Sequence, residues 1–231
     1  QVTYGVTARE VMEKNEPEFE ALSSEWIENM FVTFDETAYY LPTNLHTFYK
    51  RLKGASGAPY VTAFGLNDLS GTGKPATAGV SGDKSREYLP GQMPRRGGNP
   101  VTMMGTAVFK DDKLAGFLTD TQTRALAMLL GQFSHGFMSV ADPLLPDRPL
   151  SVVTRLGAKP KIDIDVSADI PLINIDVFLE GEITNIPSGI IYEENDYKPL
   201  LENQISRVVT RQLAEMINIT QQWGTDVANF G

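Results

Sequence analysis

Two alternating runs in the second half constrain this chain more than any other feature. In the first, Ile162, Ile164 and Val166 alternate with Lys161, Asp163, Asp165 and Ser167. In the second, Ile173, Ile175, Val177, Leu179 and Ile183 alternate with Asn174, Asp176, Glu180 and Glu182. Successive side chains of a strand point to opposite faces, so period two describes a sheet with one covered and one wet face. That is antiparallel pairing, because a doubly wound parallel sheet is buried on both faces and reads as continuous apolar runs. The acidic residues are then expected in solvent, with Ile164, Ile175 and Val177 toward the core. From Tyr197-Lys198-Pro199 the period lengthens. Ile205, Val208, Val209, Leu213, Met216 and Ile217 form one wide helical face suited to lying across that sheet, and Pro199 is tolerated in a first turn. The expected class is α+β, with a mostly antiparallel sheet in the C-terminal half and helices on one face of it.

Upstream, Thr106–Phe109 and Leu114–Leu118 flank Lys110-Asp111-Asp112-Lys113 and read as a β-hairpin. Thr119 then caps a helix, with Gln122 in the capping-box position and Leu126, Leu129, Leu130 and Phe133 as its buried stripe. Val108 and Leu114 are expected to pack under that helix. Ser151–Leu156 reads as a further strand.

The first half is smaller and mainly helical. Val2–Val6 reads as a short strand, and Thr7 with Glu10 makes a capping box for a helix ending near Asn15. Glu18–Met30 and Asn44–Leu52 have helical spacing, the second through Leu45, Phe48, Tyr49 and Leu52, with Gly54 as its stop. From Ser70 to Pro100, seven glycines and four prolines fall among polar residues, which favours a loop or inter-domain connection. This divides the chain into residues 1–100, a partial N-terminal and middle domain closing in the 70–100 loop, and 101–231, an α+β domain. The loop carries Lys74, Lys84, Arg86, Arg95 and Arg96 against Asp83 and Glu87. It reads as a solvated loop, and its basic balance also fits a contact site for a partner or an anionic head group.

Charge and composition exclude several functions. Lys plus Arg total 20 against 29 Asp plus Glu, a net charge of −9. Nucleic acid is therefore not an expected partner, since affinity for it rests on neutralising phosphates. With six apolar residues at most in a row (Ala125–Leu130), nothing approaches the roughly 20 that a spanning helix needs. Cysteine is absent, which removes disulfides, thiolate metal sites, cysteine nucleophiles and lipid thioethers from this stretch.

Candidate chemistry fails on spacing. Ser70-Gly71-Thr72-Gly73-Lys74-Pro75 has Asp68 where a phosphate loop needs its first Gly and Pro75 where it needs a hydroxyl. Asp163, Asp165, Ser167 and Asp169 open like a calcium loop, but Ala168 replaces the sixth-position Gly and Asn174 the twelfth-position Glu. They read as a solvated sheet face. His46 and His135 stand alone, with no Gly-x-Ser-x-Gly elbow. Asn218-Ile219-Thr220 matches a glycosylation acceptor but falls mid-helix. No catalytic residue, metal ligand or cofactor is expected.

The segment Gly105-Thr106-Ala107-Val108-Phe109-Lys110-Asp111-Asp112-Lys113-Leu114-Ala115-Gly116-Phe117-Leu118-Thr119, followed by Gln122-Thr123-Arg124-Ala125-Leu126, resembles the Ger(x)C family of spore germination lipoproteins, the C subunits of nutrient germinant receptors. Asn44–Leu52, Gly57–Val61 and the stretch from Thr220 to Gly231 are similar to other parts of that family. Here Asp120-Thr121-Gln122-Thr123-Arg124 replaces the usual acidic pair, so Arg124 is kept without the acidic residue beside it. Family members begin with a lipoprotein signal and a lipid-bearing Cys, and the chain is expected to be a fragment lacking that part. The resemblance implies a non-enzymatic subunit on the outer face of the spore inner membrane, anchored by lipid and working with integral-membrane A and B subunits. Arg95, Arg96 and Arg124 are the candidate partner contacts, and a ligand site is unknown. The competing functions are a metal-dependent hydrolase using the acidic strands and a solute-binding module. The latter predicts a concave pocket lined by aromatics such as Trp26, Tyr39, Tyr40 and Tyr60; otherwise these are core aromatics.

Overall fold

A computed structural model describes residues 2–17, 22–54, 57–71, 87–167, 171–193 and 196–230. Its first sheet has the order β1-β2-β3-β4, built from β1 (Val2–Thr3), β2 (Tyr60–Leu66), β3 (Val101–Lys110) and β4 (Lys113–Leu118). β1 runs parallel to β2, and the other two pairings are antiparallel. The first eight residues of β3 are buried, because it lies between two strands and is covered by helix. β3 and β4 turn through Asp111-Asp112, Asp111 taking a left-handed φ of 54°. A bulge between Val108 and Phe109 re-aims the end of the hairpin. Val108 is therefore fully buried, whereas Leu114, opposite Phe109, is 47% exposed and does not pack under the helix.

The expected capping boxes are present. Thr7 and Glu10 open α1 (Ala8–Glu13), and Thr119 and Gln122 open α5 (Asp120–Leu129). α5 is shorter than the apolar stripe implied: Gly131, at φ 67°, ends the run, and Phe133 is buried from the turn beyond. Nine of its ten residues are buried, so it is a core helix enclosed on nearly every side. The other helices of the first half are α2 (Ser23–Val32), α3 (Phe34–Thr37) and α4 (Leu45–Lys53). The expected start of α2 at Glu18 lies outside the described residues, as do Lys74, Asp83, Lys84, Arg86 and Asp169. Asn44 caps α4 through its side chain, and Gly54 closes it.

A second, antiparallel sheet has the order β5-β6-β9, from β5 (Gly136–Val140), β6 (Leu150–Leu156) and β9 (Leu179–Asn185). β7 (Lys161–Asp165) and β8 (Leu172–Asp176) pair with each other as a separate two-stranded sheet. The second alternating run is thus two strands in different sheets. Asp163, Asp165, Asp176 and Glu182 are exposed, while Ile175, Val177, Leu179 and Ile183 pack against the core. Ile164 departs from expectation at 45% exposed, because a two-stranded sheet has no further strand beside it to cover its outer part. The architecture is α+β.

α6 (Lys198–Gln222) packs chiefly on α5 and touches β5, with Leu201, Val208, Val209 and Met216 buried. Its end is a Schellman motif: Gly224 N–H donates to Gln221 O at 2.9 Å and Thr225 N–H to Thr220 O at 3.0 Å. Trp223 is thereby delivered onto β4, where a Cβ on Gly116 would lie 2.3 Å from the indole Cζ2. Glycine is required there by the close approach. Gly116→Ala is expected to displace Trp223 and cost about 1–3 kcal/mol, read by urea unfolding and a shifted tryptophan emission. Leu126→Ala, at a fully buried α5 position, should cost about 2–5 kcal/mol in the same assay.

Candidate functional site

The start of α5 gathers several buried polar groups. Thr119 closes its own capping box and its hydroxyl donates to Glu87 Oε2 at 2.9 Å. Tyr88 N–H donates to Asp120 Oδ1 at 2.9 Å, and Asp120 N–H returns to Tyr88 O at 3.1 Å. The segment entering at Glu87 is thus stitched to the helix, and Pro90-Gly91 presses onto β2. A Cβ on Gly65 would lie 2.5 Å from the Pro90 carbonyl carbon. Burial pushes the Asp120 carboxyl above its usual range, although the Tyr88 and Thr121 amides and Arg124 oppose the shift.

From this clamp the chain runs to the predicted contact residues. Arg95 is half-buried and Arg96 exposed, and Arg96 forms an isolated antiparallel bridge with Ser70. Arg124 lies elsewhere. It is 6% exposed, its guanidinium sits 5.0 Å from the Tyr39 ring centre, and its Nε has no hydrogen-bond partner among the described residues. Tyr39 is itself fixed, since its carbonyl accepts from Gly105 N–H at 2.7 Å.

A second polar centre joins the two ends of the smaller three-stranded sheet. Asp142 is completely buried. Its Oδ1 accepts from Leu144 N–H at 2.9 Å, from Leu145 N–H at 3.0 Å and from the Tyr192 hydroxyl, and its Oδ2 accepts from Ser188 at 2.6 Å. Burial pushes this carboxyl up, yet Ser188, Tyr192 and the two amides together hold it below the usual range. Burial and the Asp142 charge raise the Tyr192 hydroxyl well above its ordinary value. The Asp142 turn is readable afterwards as an Asx-type turn before Pro143, but nothing local marks Ser188 or Tyr192.

A third anchor is Arg51 of α4. Its Nε donates to Ala58 O at 2.9 Å and Nη2 to Val227 O at 2.5 Å, with the guanidinium 4.7 Å from the Tyr60 ring centre. Burial pushes its pKa below the usual arginine range, though Tyr60 and Asp226 counter this and arginine remains charged.

Of the aromatics considered for a solute pocket, Tyr40 and Tyr60 are buried, Trp26 packs on the core and Tyr39 carries Arg124. An open cleft of about 380 Å³ is lined instead by Phe34, Asp35, Pro42 and residues 131–134. Beside it His135 Nε2 meets Glu36 at 3.0 Å and the Ser134 hydroxyl meets Asp35 at 3.0 Å, while His46 is exposed on α4. Among the described residues, no three His, Asp or Glu side chains converge on a possible metal position.

With this geometry in place, the family can be assigned. A family model described as spore germination B3/GerAC like, C-terminal, matches residues 104–231, more than half of the chain. The chain belongs to this family. The GerAC-like region opens inside β3 and takes in the hairpin, α5, both smaller sheets and α6. Thr119, Asp120, Arg124 and the Asp142–Ser188–Tyr192 centre all fall within it, whereas Arg51, Glu87, Arg95 and Arg96 precede it. Among solved structures, a crystal structure of the GerBC protein is 18% identical, with a TM-score of 0.45, over 74% of this chain and 56% of that one. The chain therefore spans just over half the length of that protein. No curated protein matches.

Asp142 dictates a pH response. A carboxyl held low in the fold stabilises it fully above the unfolded value, about 3.9, and that contribution is lost as pH falls through the folded value. Asp142→Asn should therefore flatten the loss of unfolding free energy on the acid side of about pH 4. Asp142→Ala, leaving Tyr192, Ser188 and two amides without their acceptor, should cost about 2–4 kcal/mol at pH 7. Urea titrations at stepped pH check both.

Proposed function

We propose that this chain is a non-enzymatic subunit of a nutrient germinant receptor, acting by contact with two integral-membrane subunits, A and B. It works at the outer face of the spore inner membrane, held there by a lipid anchor outside these 231 residues. The observation carrying this reading is the GerAC-like match over residues 104–231. The hydrogen bonding supports a structural role for the buried polar groups: Asp120 accepts from the Tyr88 amide, and Asp142 accepts from two backbone amides and from the Ser188 and Tyr192 hydroxyls, each of which ties one segment of chain to another. A tethered domain beside membrane partners gains effective concentration, so each contact can be weak individually. Arg95 and Arg96 supply the contact surface, reached from the clamp at Glu87 and Tyr88. Arg124 contributes indirectly, through its contact with Tyr39 and its charge beside Asp120 at the α5 start.

The test is charge reversal, Arg95→Glu with Arg96→Glu, in the full-length protein in spores. Germination in response to nutrient should slow about tenfold, equivalent to roughly 1.4 kcal/mol of lost contact, with the chain still folded and the other receptor subunits depleted from the membrane. Tight, saturable binding of an amino acid or sugar to the isolated chain would replace this reading with direct solute capture.

A further inference from the structure

Helix α4 presents a face that the fold does not use. Four of its apolar positions share helical spacing, but only Phe48 and Leu52 turn inward, Phe48 meeting Phe109 edge-on at 5.2 Å. Leu45 is left 82% exposed and Tyr49 56% exposed. Four residues apart, they form one row along the helix, which Lys53 continues, with exposed His46 and Lys50 in the row beside it. The nine residues contain three basic side chains and no acidic one, in a chain whose net charge is −9. Basic residues in a last turn complement the helix dipole, but that does not account for an exposed Leu and Tyr. The neighbouring hairpin turn, Lys110-Asp111-Asp112-Lys113, adds no net charge, so the positive character belongs to α4.

We infer that the outer face of α4 is a docking surface for an anionic lipid bilayer. Leu45 and the Tyr49 ring would enter the head-group boundary, while Lys50 and Lys53 would meet lipid phosphates. Size and charge select this occupant. A stable protein partner needs about 800 Å² from each side, and specific interfaces are anchored by central buried hot spots. Two exposed side chains on a nine-residue helix are far below that. A bilayer sets no such threshold: shallow apolar insertion and each nearby lysine add to attraction for anionic lipid. The chain as a whole carries a net charge of −9, so an anionic surface favours approach through a locally basic face such as that of α4. This inference rests on α4 alone and is independent of the receptor reading above.

The experiment is co-sedimentation of the 231-residue chain with phosphatidylcholine vesicles, with and without phosphatidylglycerol. Wild type should pellet with the anionic vesicles and not the neutral ones, and should be released at about 1 M salt, where the screening length is about 3 Å. Lys50→Glu with Lys53→Glu, both exposed, should lower partitioning about tenfold or more. Leu45→Trp provides a readout independent of pelleting, since its emission should shift to the blue with anionic vesicles alone. Failure of wild type to bind anionic vesicles, equal binding to neutral ones, unchanged binding after charge reversal, or an unshifted emission for Leu45→Trp would each overturn the proposal.

Discussion

The hydrogen bonds at Thr119 hold three parts of this molecule in place at once. A strand that ends at Leu118 must turn into a helix without leaving buried amides unpaired, because each orphaned group costs about 1–3 kcal/mol. The capping box meets that requirement locally, and the Thr119 hydroxyl goes on to hold Glu87. Asp120 extends the same solution by pairing with both backbone groups of Tyr88. One turn of chain therefore fixes the hairpin against its helix and brings the returning segment down on β2. Removing any of these groups would leave others unsatisfied, so the cluster behaves as a unit.

What could be read in the sequence follows from how local each determinant is. The pairs Thr7–Glu10 and Thr119–Gln122 are three residues apart, and both helix starts were legible from them. β2 was not, because Tyr60–Leu66 is covered on both faces and lacks the alternation of a half-wet strand. β5 is short and opens with Gly136, so its pattern is lost among the residues around it. The second alternating run reads as continuous because Val177-Phe178 preserves its phase while the chain passes from β8 to β9. The polar centre was invisible for a related reason. Ser188 and Tyr192 lie 46 and 50 residues from the carboxylate they serve.

The family assignment and the geometry meet in the hairpin and α5, where the resemblance was most specific. Gly105, at φ 72°, has room for no side chain: a Cβ would come 2.4 Å from the Leu118 carbonyl oxygen, and its N–H is already given to Tyr39. Gly116 leaves space for Trp223. Much of the motif therefore describes how strand, helix and C-terminal indole fit together.

The bond from Arg51 to the carbonyl of Val227 spans 176 residues. Closing so long a loop is entropically unfavourable, though the cost grows only with the logarithm of its length, and non-local contacts of this kind slow folding. During synthesis, the cradle formed by α4 and Tyr60 is complete long before its occupant exists. Arg51 can meet Ala58 and Tyr60 early, but its second acceptor arrives only when nearly all of this stretch has been made. The first half of the chain is thus finished by residues translated late, so a ribosome that stalls within α6 would leave an early part of the protein open as well as a late one.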